Sequence, residues 1–239
     1  MQRTAVEQRA RNDPAQYDEL SDAWWDPAGP FVMLHWIAAA RAERIPAATR
    51  CDAILVDLGC GGGLLAPHLE GKGYTHVGFD LTHSALTHAC DHDVLAVQSD
   101  VGALPLPDGV ADVVVAGEIL EHVDDLSAVL REACRVLRPG GTFVLDTVAD
   151  TALARLLVVT VAERIPRGAP KGIHDPRLFV NRRRLVALCA GYGVDIVLTG
   201  LRPTAGAILR GARRGVKRKL MISTRSTAVL YQGVGKKRP

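Results

Sequence analysis

Two aspartates enclose a glycine-rich turn in the first half of the chain. Asp57 lies near the end of an apolar run, Gly59 and Gly61 follow it closely, and Asp80 ends the next apolar run. A backbone without Cβ atoms can approach a ligand closely, and an acid about twenty residues after such a turn lies where a ribose diol is bound. This spacing predicts a binding site for a nucleoside-containing cofactor.

The same residues distinguish between two kinds of nucleoside cofactor. A dinucleotide site uses the pattern Gly-x-Gly-x-x-Gly, with a helix N-terminus facing the pyrophosphate, but here Leu64 stands in place of the third glycine. Asp57 would repel a pyrophosphate, whereas it favours a cationic ammonium or sulfonium group. The pattern therefore favours a cationic cofactor over NAD, with a helix predicted to begin at residues 64–69.

A second group of residues that could bind a metal or transfer a proton follows a later apolar run. Glu118, Glu121 and His122 lie close together in the chain, and on a helix residues three and four apart lie on one side. Two carboxylates and an imidazole are suitable ligands for Mg²⁺ or Zn²⁺. Carboxylates are also common at helix starts for electrostatic reasons alone, and a buried His–Glu hydrogen bond would use the same residues. The pattern leaves both interpretations open.

The runs that carry these residues alternate with helical patterns. Strands are predicted at residues 54–58, 77–80, 111–117, 142–146, 194–199 and 228–234, and a further strand ends near Gln98. In residues 125–137 apolar side chains recur at helical spacing. This alternation predicts an α/β fold with a mostly parallel sheet, helices on both faces and a ligand beyond the carboxyl ends of the strands.

Length and composition exclude several classes of protein. A chain of 239 residues with a net charge of +3 fits one elaborated domain and does not indicate a nucleic-acid partner. The five cysteines are scattered and form no Cys-x-x-Cys pair, which argues against a zinc site or a disulfide framework. No apolar run is long enough to span a bilayer, and the N-terminus has no secretory apolar segment. We expect a cytoplasmic protein.

The glycine-rich turn and the following Gly78-x-Asp80 resemble the first two motifs of class I S-adenosylmethionine-dependent methyltransferases. Other segments resemble one family among them, the O-methyltransferases of ubiquinone biosynthesis, which methylate a catechol-type hydroxyl of a polyprenylated ring. These segments are residues 24–27, 34–35, 57–63, 118–123, 138–141 and 170–175. The resemblance implies a Rossmann-like fold with a mostly parallel seven-stranded sheet, an N-terminal helical cap and an insertion after strand 5.

The resemblance also implies roles for individual residues. Those that would bind S-adenosylmethionine are Arg41, Asp57, Gly59, Gly61, Asp80, Leu81, Asp100, Val101 and Gly117. Arg41 suits the cofactor carboxylate, and an acid at Asp100 receives the adenine amino group in this superfamily. Glu118, Glu121 and His122 match the family's metal-binding set and are the predicted catalytic residues. A bound Mg²⁺ or Zn²⁺ would lower the pKa of a catechol hydroxyl and orient its oxygen.

The predicted methyl acceptor is a small phenolic or catecholic compound, which in the family is prenylated. Trp25, His35 and His174 are candidate substrate contacts, although tryptophans often fill core space and histidines often have structural roles. The chain departs from the family at residues 36–39 and beyond Leu201. A secondary-metabolite O- or N-methyltransferase therefore remains an alternative, as does a non-catalytic cofactor-binding module, which the intact Glu118–Glu121–His122 group disfavours.

The distribution of apolar and basic segments along the sequence predicts the domain organisation and a contact with a membrane. We predict a helical cap at residues 1–50 and a cofactor-binding domain at residues 51–239, with a substrate-facing insertion at about 147–184. Residues 152–165 are strongly apolar, and basic residues crowd residues 210–219. The apolar segment is either a buried helix or an interfacial segment that meets a lipid substrate. Together with the basic stretch it would contact an anionic membrane at the inner face.

Overall fold

The computed structural model describes residues 10–26, 29–164, 169–210 and 220–239. In these parts of the chain eight strands form a single sheet in the order β3-β2-β1-β4-β5-β8-β6-β7. The strands are β1 (Ile54–Leu58), β2 (Thr75–Asp80), β3 (Leu95–Gln98), β4 (Ala111–Gly117), β5 (Leu137–Val148), β6 (Val194–Pro203), β7 (Met221–Thr224) and β8 (Leu230–Lys237). The pairs among β1 to β5 are parallel. The other pairs are antiparallel: β8 pairs with β5 and β6, and β7 pairs with β6.

The predicted α/β class is confirmed, but the strand count differs from the expected seven. The additional strand is β7, whose four residues pair with the end of β6, from Gly200 to Pro203. A strand this short carries too few alternating residues to be distinguished from a loop by its pattern.

Helices lie on both faces of the sheet, as predicted. The α-helices are α1 (Ala15–Glu19), α2 (Val32–Ala42), α3 (His83–Cys90), α4 (Leu126–Val136), α5 (Ala152–Ala154), α6 (Arg182–Gly191) and α7 (Ala205–Arg210), and a π-helix, Arg155–Val161, continues α5. The Asp125 carboxylate caps α4 by accepting hydrogen bonds from the backbone N–H groups of Ser127 and Ala128. The boundaries of α4 therefore match the helix predicted from its apolar spacing.

The helix predicted to begin at residues 64–69 is wrong. The glycine turn is followed by further turns and by a short 3₁₀-helix, Ala66–His68. Gly71 and Gly73, both at positive φ, then lead the chain directly into β2. The segment has no room for two helical turns before these glycines end it, so no α-helix N-terminus faces the turn.

The core has one layer on each side of the sheet. On one side, Leu130 and Ala133 of α4 and Leu185 of α6 pack against buried strand residues such as Val56 and Val114. The other side of the strands is covered by Leu65, Leu69 and the end of α2. Among the described residues, no helix combines the length and apolar character that crossing a membrane requires.

Parallel register places the ends of three strands at one edge of the sheet. Leu58 of β1 lies opposite Phe79 of β2 and opposite Ala116 of β4. The turn after β1, the acid that ends β2 and the acidic segment after β4 therefore meet, because the carboxyl ends of parallel strands share an edge. The N-terminal helices pack over this edge: Trp24 and Phe31 lie in one apolar cluster with Leu64 and Ala85. The predicted domain boundary at residue 50 stays a prediction.

Candidate functional site

A cavity of about 1830 Å³ opens at this edge of the sheet. Its walls contain every residue predicted to bind the cofactor, namely Arg41, Asp57, Gly59, Gly61, Asp80, Leu81, Asp100, Val101 and Gly117. The same cavity is lined by Glu118, His122 and His174. One cavity therefore contacts the predicted cofactor residues and two members of the second group, whereas Glu121 is buried outside its wall.

The glycine turn is packed so tightly that side chains would not fit. Gly59 and Gly61 have φ values of +67° and +51°. A Cβ atom would lie 2.7 Å from Ile119 at Gly59 and 2.5 Å from Trp24 at Gly61. The glycines are thus required both by the backbone conformation and by the side chains packed over the turn.

Asp80 is bound to the turn that precedes it. Its Oδ2 accepts a hydrogen bond from the Gly61 N–H (2.9 Å), and its Oδ1 accepts one from the Thr82 N–H (2.9 Å). Burial raises the pKa of the Asp80 carboxyl, and these backbone hydrogen bonds act in the opposite direction. Each oxygen has further acceptor capacity, so the carboxylate could also accept from a ribose diol.

Asp57 and Asp100 differ in their surroundings. The Asp57 carboxylate is buried, and its Oδ2 lies 3.2 Å from Nε2 of His76. Asp100 uses its Oδ1 to accept from the Gly102 N–H (2.7 Å), which fixes the turn after β3. Leu81, an exposed leucine, and Val101 provide apolar wall near Asp100 and Asp80. This wall is suited to an aromatic base with a polar edge.

Arg41 is buried and already paired. Its Nε and Nη2 donate to Oδ2 and Oδ1 of Asp146, both at 2.7 Å. The guanidinium lies against Gly117, where a Cβ atom would be only 1.8 Å from its Cζ. The sequence predicts a two-pronged contact of Arg41 with a cofactor carboxylate, but in the structure these two nitrogens bind Asp146 instead.

The structure does not bring the predicted metal-binding residues Glu118, Glu121 and His122 together as a group of ligands. Glu118 has a φ of +53° directly after β4, and the 3₁₀-helix Leu120–His122 begins only after it, so the three residues do not share an α-helical face. Within the described ranges, no three histidine, cysteine, aspartate or glutamate side chains are grouped so that they could hold a metal ion. The metal and its three ligands therefore stay a prediction.

The two glutamates are buried acids with unused acceptor capacity. Glu121 accepts from the Thr147 hydroxyl through Oε2 (2.6 Å), while the Oε1 atoms of Glu118 and Glu121 are buried and have no hydrogen-bond partner. Burial raises the pKa of both carboxyls. Glu118 lines the cavity, so its free oxygen lies where a ligand donor could reach it.

His122 is bonded to the N-terminal part of the chain rather than to a glutamate. Its Nδ1 lies 2.6 Å from Oδ1 of Asn12, its Nε2 lies 3.4 Å from the Tyr17 hydroxyl, and its ring stacks on that of His174. Burial, together with His174, lowers the pKa of His122 to about 3. The imidazole is therefore neutral at physiological pH, as a proton acceptor must be.

Residues 10–26, here called the N-terminal strap, cover the cavity. Arg11 donates to both carboxylate oxygens of Glu163 (2.6 Å each), and Gln16 donates from Nε2 to the Lys171 carbonyl. The sequence pattern did not identify Asn12, Tyr17 or Glu163 as site residues. For Glu163 a signal existed, because it is the only acid in the apolar residues 152–165.

The three candidate substrate contacts separate in the structure. His174 lines the cavity, with its Nδ1 3.5 Å from Oε1 of Glu163. Trp25 instead donates to the Gly62 carbonyl (2.9 Å) and stacks on His92, and Nε2 of His35 contacts the Trp24 carbonyl (2.9 Å). Neither Trp25 nor His35 is part of the cavity wall. Trp25 holds the strap against the glycine turn, and His35 holds the strap against α2.

Comparisons with known proteins agree on one family. Residues 56–145 match the family described as "Methyltransferase domain". The ubiquinone biosynthesis O-methyltransferase of Thiobacillus denitrificans is 33% identical over 199 residues, which cover 78% of this chain and 84% of that protein. The protein of the same name from Idiomarina loihiensis is 31% identical, covering 82% of this chain and 85% of its own.

Solved structures share the fold at lower identity. A methyltransferase from Haloferax volcanii, solved with the Trm112 activator, has a TM-score of 0.65 at 20% identity, covering 94% of this chain and 98% of its own. A Thermotoga maritima S-adenosylmethionine-dependent methyltransferase has a TM-score of 0.64 at 16% identity, covering 93% of this chain and 97% of its own.

Proposed function

Because this chain belongs to the family of ubiquinone biosynthesis O-methyltransferases, we propose that it methylates a phenolic or catecholic hydroxyl of an aromatic acceptor resembling a quinone precursor. It is an S-adenosylmethionine-dependent methyltransferase. When bound, S-adenosylmethionine supplies an electrophilic methyl group on a sulfonium. The residues of the chain must then hold the cofactor, bring an acceptor oxygen in line with the methyl group and accept the hydroxyl proton.

The cofactor roles rest on the cavity wall. Asp80, which is tied to the glycine turn through Gly61, would accept from the ribose hydroxyls. Leu81, Val101 and Asp100 would contact the adenine base from the apolar wall at the ends of β2 and β3. The Asp57 carboxylate places negative charge at the cavity wall, and negative charge favours the cationic end of the cofactor. The unpartnered oxygen of Glu118 adds a hydrogen-bond acceptor to the same cavity.

The observation that carries the proposal is the position of His122 in the cavity that also holds the predicted cofactor residues. Its Nε2 makes only a 3.4 Å contact with the Tyr17 hydroxyl, so this nitrogen can accept a proton from an acceptor hydroxyl that enters the cavity. Burial lowers the pKa of His122, so the imidazole is neutral before it accepts the proton. The hydroxyl O–H bond then breaks as an N–H bond forms on His122. The oxygen forms a bond to the methyl carbon as the S–CH₃ bond breaks, and the sulfur keeps that electron pair and leaves as a neutral thioether. No step is routed through a metal, because the described residues do not bring Glu118, Glu121 and His122 together as ligands.

An apolar part of the cavity wall supports a prenylated acceptor. Leu157, Val158 and Val161 of the π-helix line the cavity, and Leu153 and Leu156 of the same segment are exposed. A prenyl chain would lie along this wall, and the exposed leucines would enter the interface of an anionic membrane. Of the basic residues proposed to assist, those at 211–219 lie outside the described residues.

Methyl transfer from isotopically labelled S-adenosylmethionine to a panel of acceptors tests the proposal. The panel contains catechols with and without a prenyl chain, their mono-O-methyl ethers, and amine analogues of the same ring. We expect label on the hydroxyl oxygen and a higher kcat/KM for prenylated catechols. Transfer to the amines alone would instead indicate an N-methyltransferase, and cofactor binding without transfer to any acceptor would indicate a non-catalytic module.

A further inference from the structure

Asn12 makes a two-point contact with His122 across the cavity wall. Its Nδ2 donates to the His122 carbonyl (2.9 Å), while its Oδ1 lies 2.6 Å from the ring Nδ1. The two residues are 110 positions apart in the chain. We infer that Asn12 is a positioning residue that holds His122 as the Nδ1–H tautomer, so that the lone pair on Nε2 can take the proton of the methyl acceptor. This inference rests on the proposed function for the identity of that proton.

The carbonyl of His122 decides how the Asn12 amide is oriented. A backbone carbonyl can only accept a hydrogen bond, so the amide NH₂ group must face it. The amide oxygen must then face Nδ1, and because an amide oxygen also only accepts, Nδ1 must carry the hydrogen. A neutral imidazole has one N–H, which leaves Nε2 as the acceptor nitrogen.

The environment of Nε2 is consistent with an acceptor nitrogen. The Tyr17 hydroxyl lies 3.4 Å from it, near the upper limit for a hydrogen bond. A tyrosine hydroxyl carries its proton at neutral pH, so it can donate to Nε2 when this nitrogen has a free lone pair. An acceptor hydroxyl that approaches more closely can replace this weak contact.

The backbone at Asn12 explains why this residue type suits the position. Asn12 has a φ of +59°, and its N–H donates to the Gly172 carbonyl (3.0 Å). Asparagine, aspartate and glycine tolerate positive φ better than other residues. The side chain can therefore be changed to aspartate or glycine without adding backbone strain, which makes the inference testable.

The test compares Asn12→Gly and Asn12→Asp with the control Gln16→Ala. Gln16 tethers the same strap through a hydrogen bond to the Lys171 carbonyl but does not contact His122. The tautomer is measured by ¹⁵N NMR of the imidazole nitrogens in the complete protein, with the His122 signals assigned by their loss in His122→Gln. Steady-state kinetics with the best catechol give kcat and the KM for S-adenosylmethionine.

We expect native His122 to be protonated on Nδ1, and Asn12→Gly to contain a mixture of both tautomers. In Asn12→Gly kcat should fall roughly tenfold or more, within the contribution of a general base, while KM for S-adenosylmethionine stays unchanged. Asn12→Asp retains an acceptor for Nδ1–H and should recover part of kcat. Gln16→Ala should leave both the tautomer and kcat close to native.

Two results would overturn the inference: an unchanged Nδ1–H tautomer in Asn12→Gly, or an equal loss of kcat in Gln16→Ala and Asn12→Gly. The second would mean that the strap matters only as a cover. These results can be distinguished from a failure of the proposed O-methylation, because the tautomer of His122 is measured by NMR without any methyl acceptor. A tautomer that depends on Asn12 in a protein that methylates no hydroxyl would reject O-methylation and uphold the positioning of His122.

Discussion

Arg41 and Asp146 form a buried, two-pronged ion pair beneath the floor of the cavity, with both N–O distances at 2.7 Å. The pair joins α2 to the end of β5, two elements that are 105 residues apart at this contact. Its guanidinium also fills the space that Gly117 leaves open. The arginine that the sequence assigns to the cofactor thus joins the N-terminal helices to the sheet.

Replacing Arg41 by methionine should strongly destabilise the fold. The Asp146 carboxylate would remain buried without a partner, and breaking a buried pair in this way costs about 3–5 kcal/mol. Urea unfolding measures the loss. Arg155→Met, which removes an exposed ion pair with Asp150, is the control and should cost at most about 1 kcal/mol. A loss in Arg41→Met no larger than in the control would show that the pair is not structural.

Replacing Asp80 by alanine should weaken binding of S-adenosylmethionine by about 2–4 kcal/mol. This is a little above the range for one hydrogen bond to a charged group, because the substitution removes both acceptor oxygens. Titration calorimetry measures the affinity for S-adenosylmethionine and its demethylated product. Asp80→Asn keeps one acceptor oxygen and should lose less. Asp52→Ala removes an exposed acid outside the cavity wall and should bind normally. Unchanged affinity in Asp80→Ala would contradict the assigned cofactor site.

Removing divalent metal should leave turnover intact. The structure does not group Glu118, Glu121 and His122 as ligands, so exhaustive chelation should change neither kcat nor cofactor affinity. His122→Gln should lower kcat by about 10²–10⁴, the usual contribution of a general base, and the exposed His83→Gln is its control. Loss of activity on chelation, with recovery on adding Mg²⁺ or Zn²⁺, would restore the metal-binding interpretation.

Stability should fall in acid because of Glu163. Burial alone would raise its pKa, but contacts with His174, the Gly172 N–H and Arg11 lower the pKa of Glu163 to about 2. The unfolded chain takes up this proton near pH 4.5, whereas the folded protein resists until about pH 2. Above pH 4.5 the low pKa of Glu163 therefore contributes about 3 kcal/mol to the free energy of unfolding. This contribution is lost as the pH falls from 4.5 to about 2.

Glu163→Gln should be less stable than native at pH 7 and should show a flatter dependence of unfolding free energy on pH between 5 and 3. Denaturant unfolding at a series of pH values measures both effects. Glu70→Gln, at an exposed site, is the matched control. Parallel pH profiles for native protein and Glu163→Gln would rule out the ion pair with Arg11 as a source of acid sensitivity.

Vesicle co-sedimentation should detect binding to anionic lipid that weakens with salt. Replacing Leu153 and Leu156 by serine should reduce this vesicle binding, since both side chains are exposed beside the cavity wall. The salt dependence is expected because each nearby cation adds about 1 kcal/mol of binding at an anionic surface. Val197→Ser is the control, because Val197 is even more exposed than the two leucines but lies on β6. Equal binding to neutral vesicles would remove the electrostatic contribution, and no binding at all would favour a soluble aromatic acceptor.

The local patterns of the sequence were sufficient for the α/β class and for a set of predicted cofactor residues that share one cavity. Apolar runs that end at Asp57 and Asp80 with glycines between them determine where strands stop and where the backbone can approach a ligand. Parallel pairing then brings such ends together without further information. Each residue predicted to bind the cofactor accordingly lines the cavity.

Only the tertiary structure decided what surrounds His122 and what Arg41 binds. Arg41 meets Asp146 across 105 residues, Asn12 meets His122 across 110, and Arg11 meets Glu163 across 152. Sequence spacing carries no information about such pairs, because the distance between their side chains is set by how whole elements pack. The positive φ of Glu118 is a further case, since glutamate gives no local signal for it and the surrounding fold must impose it.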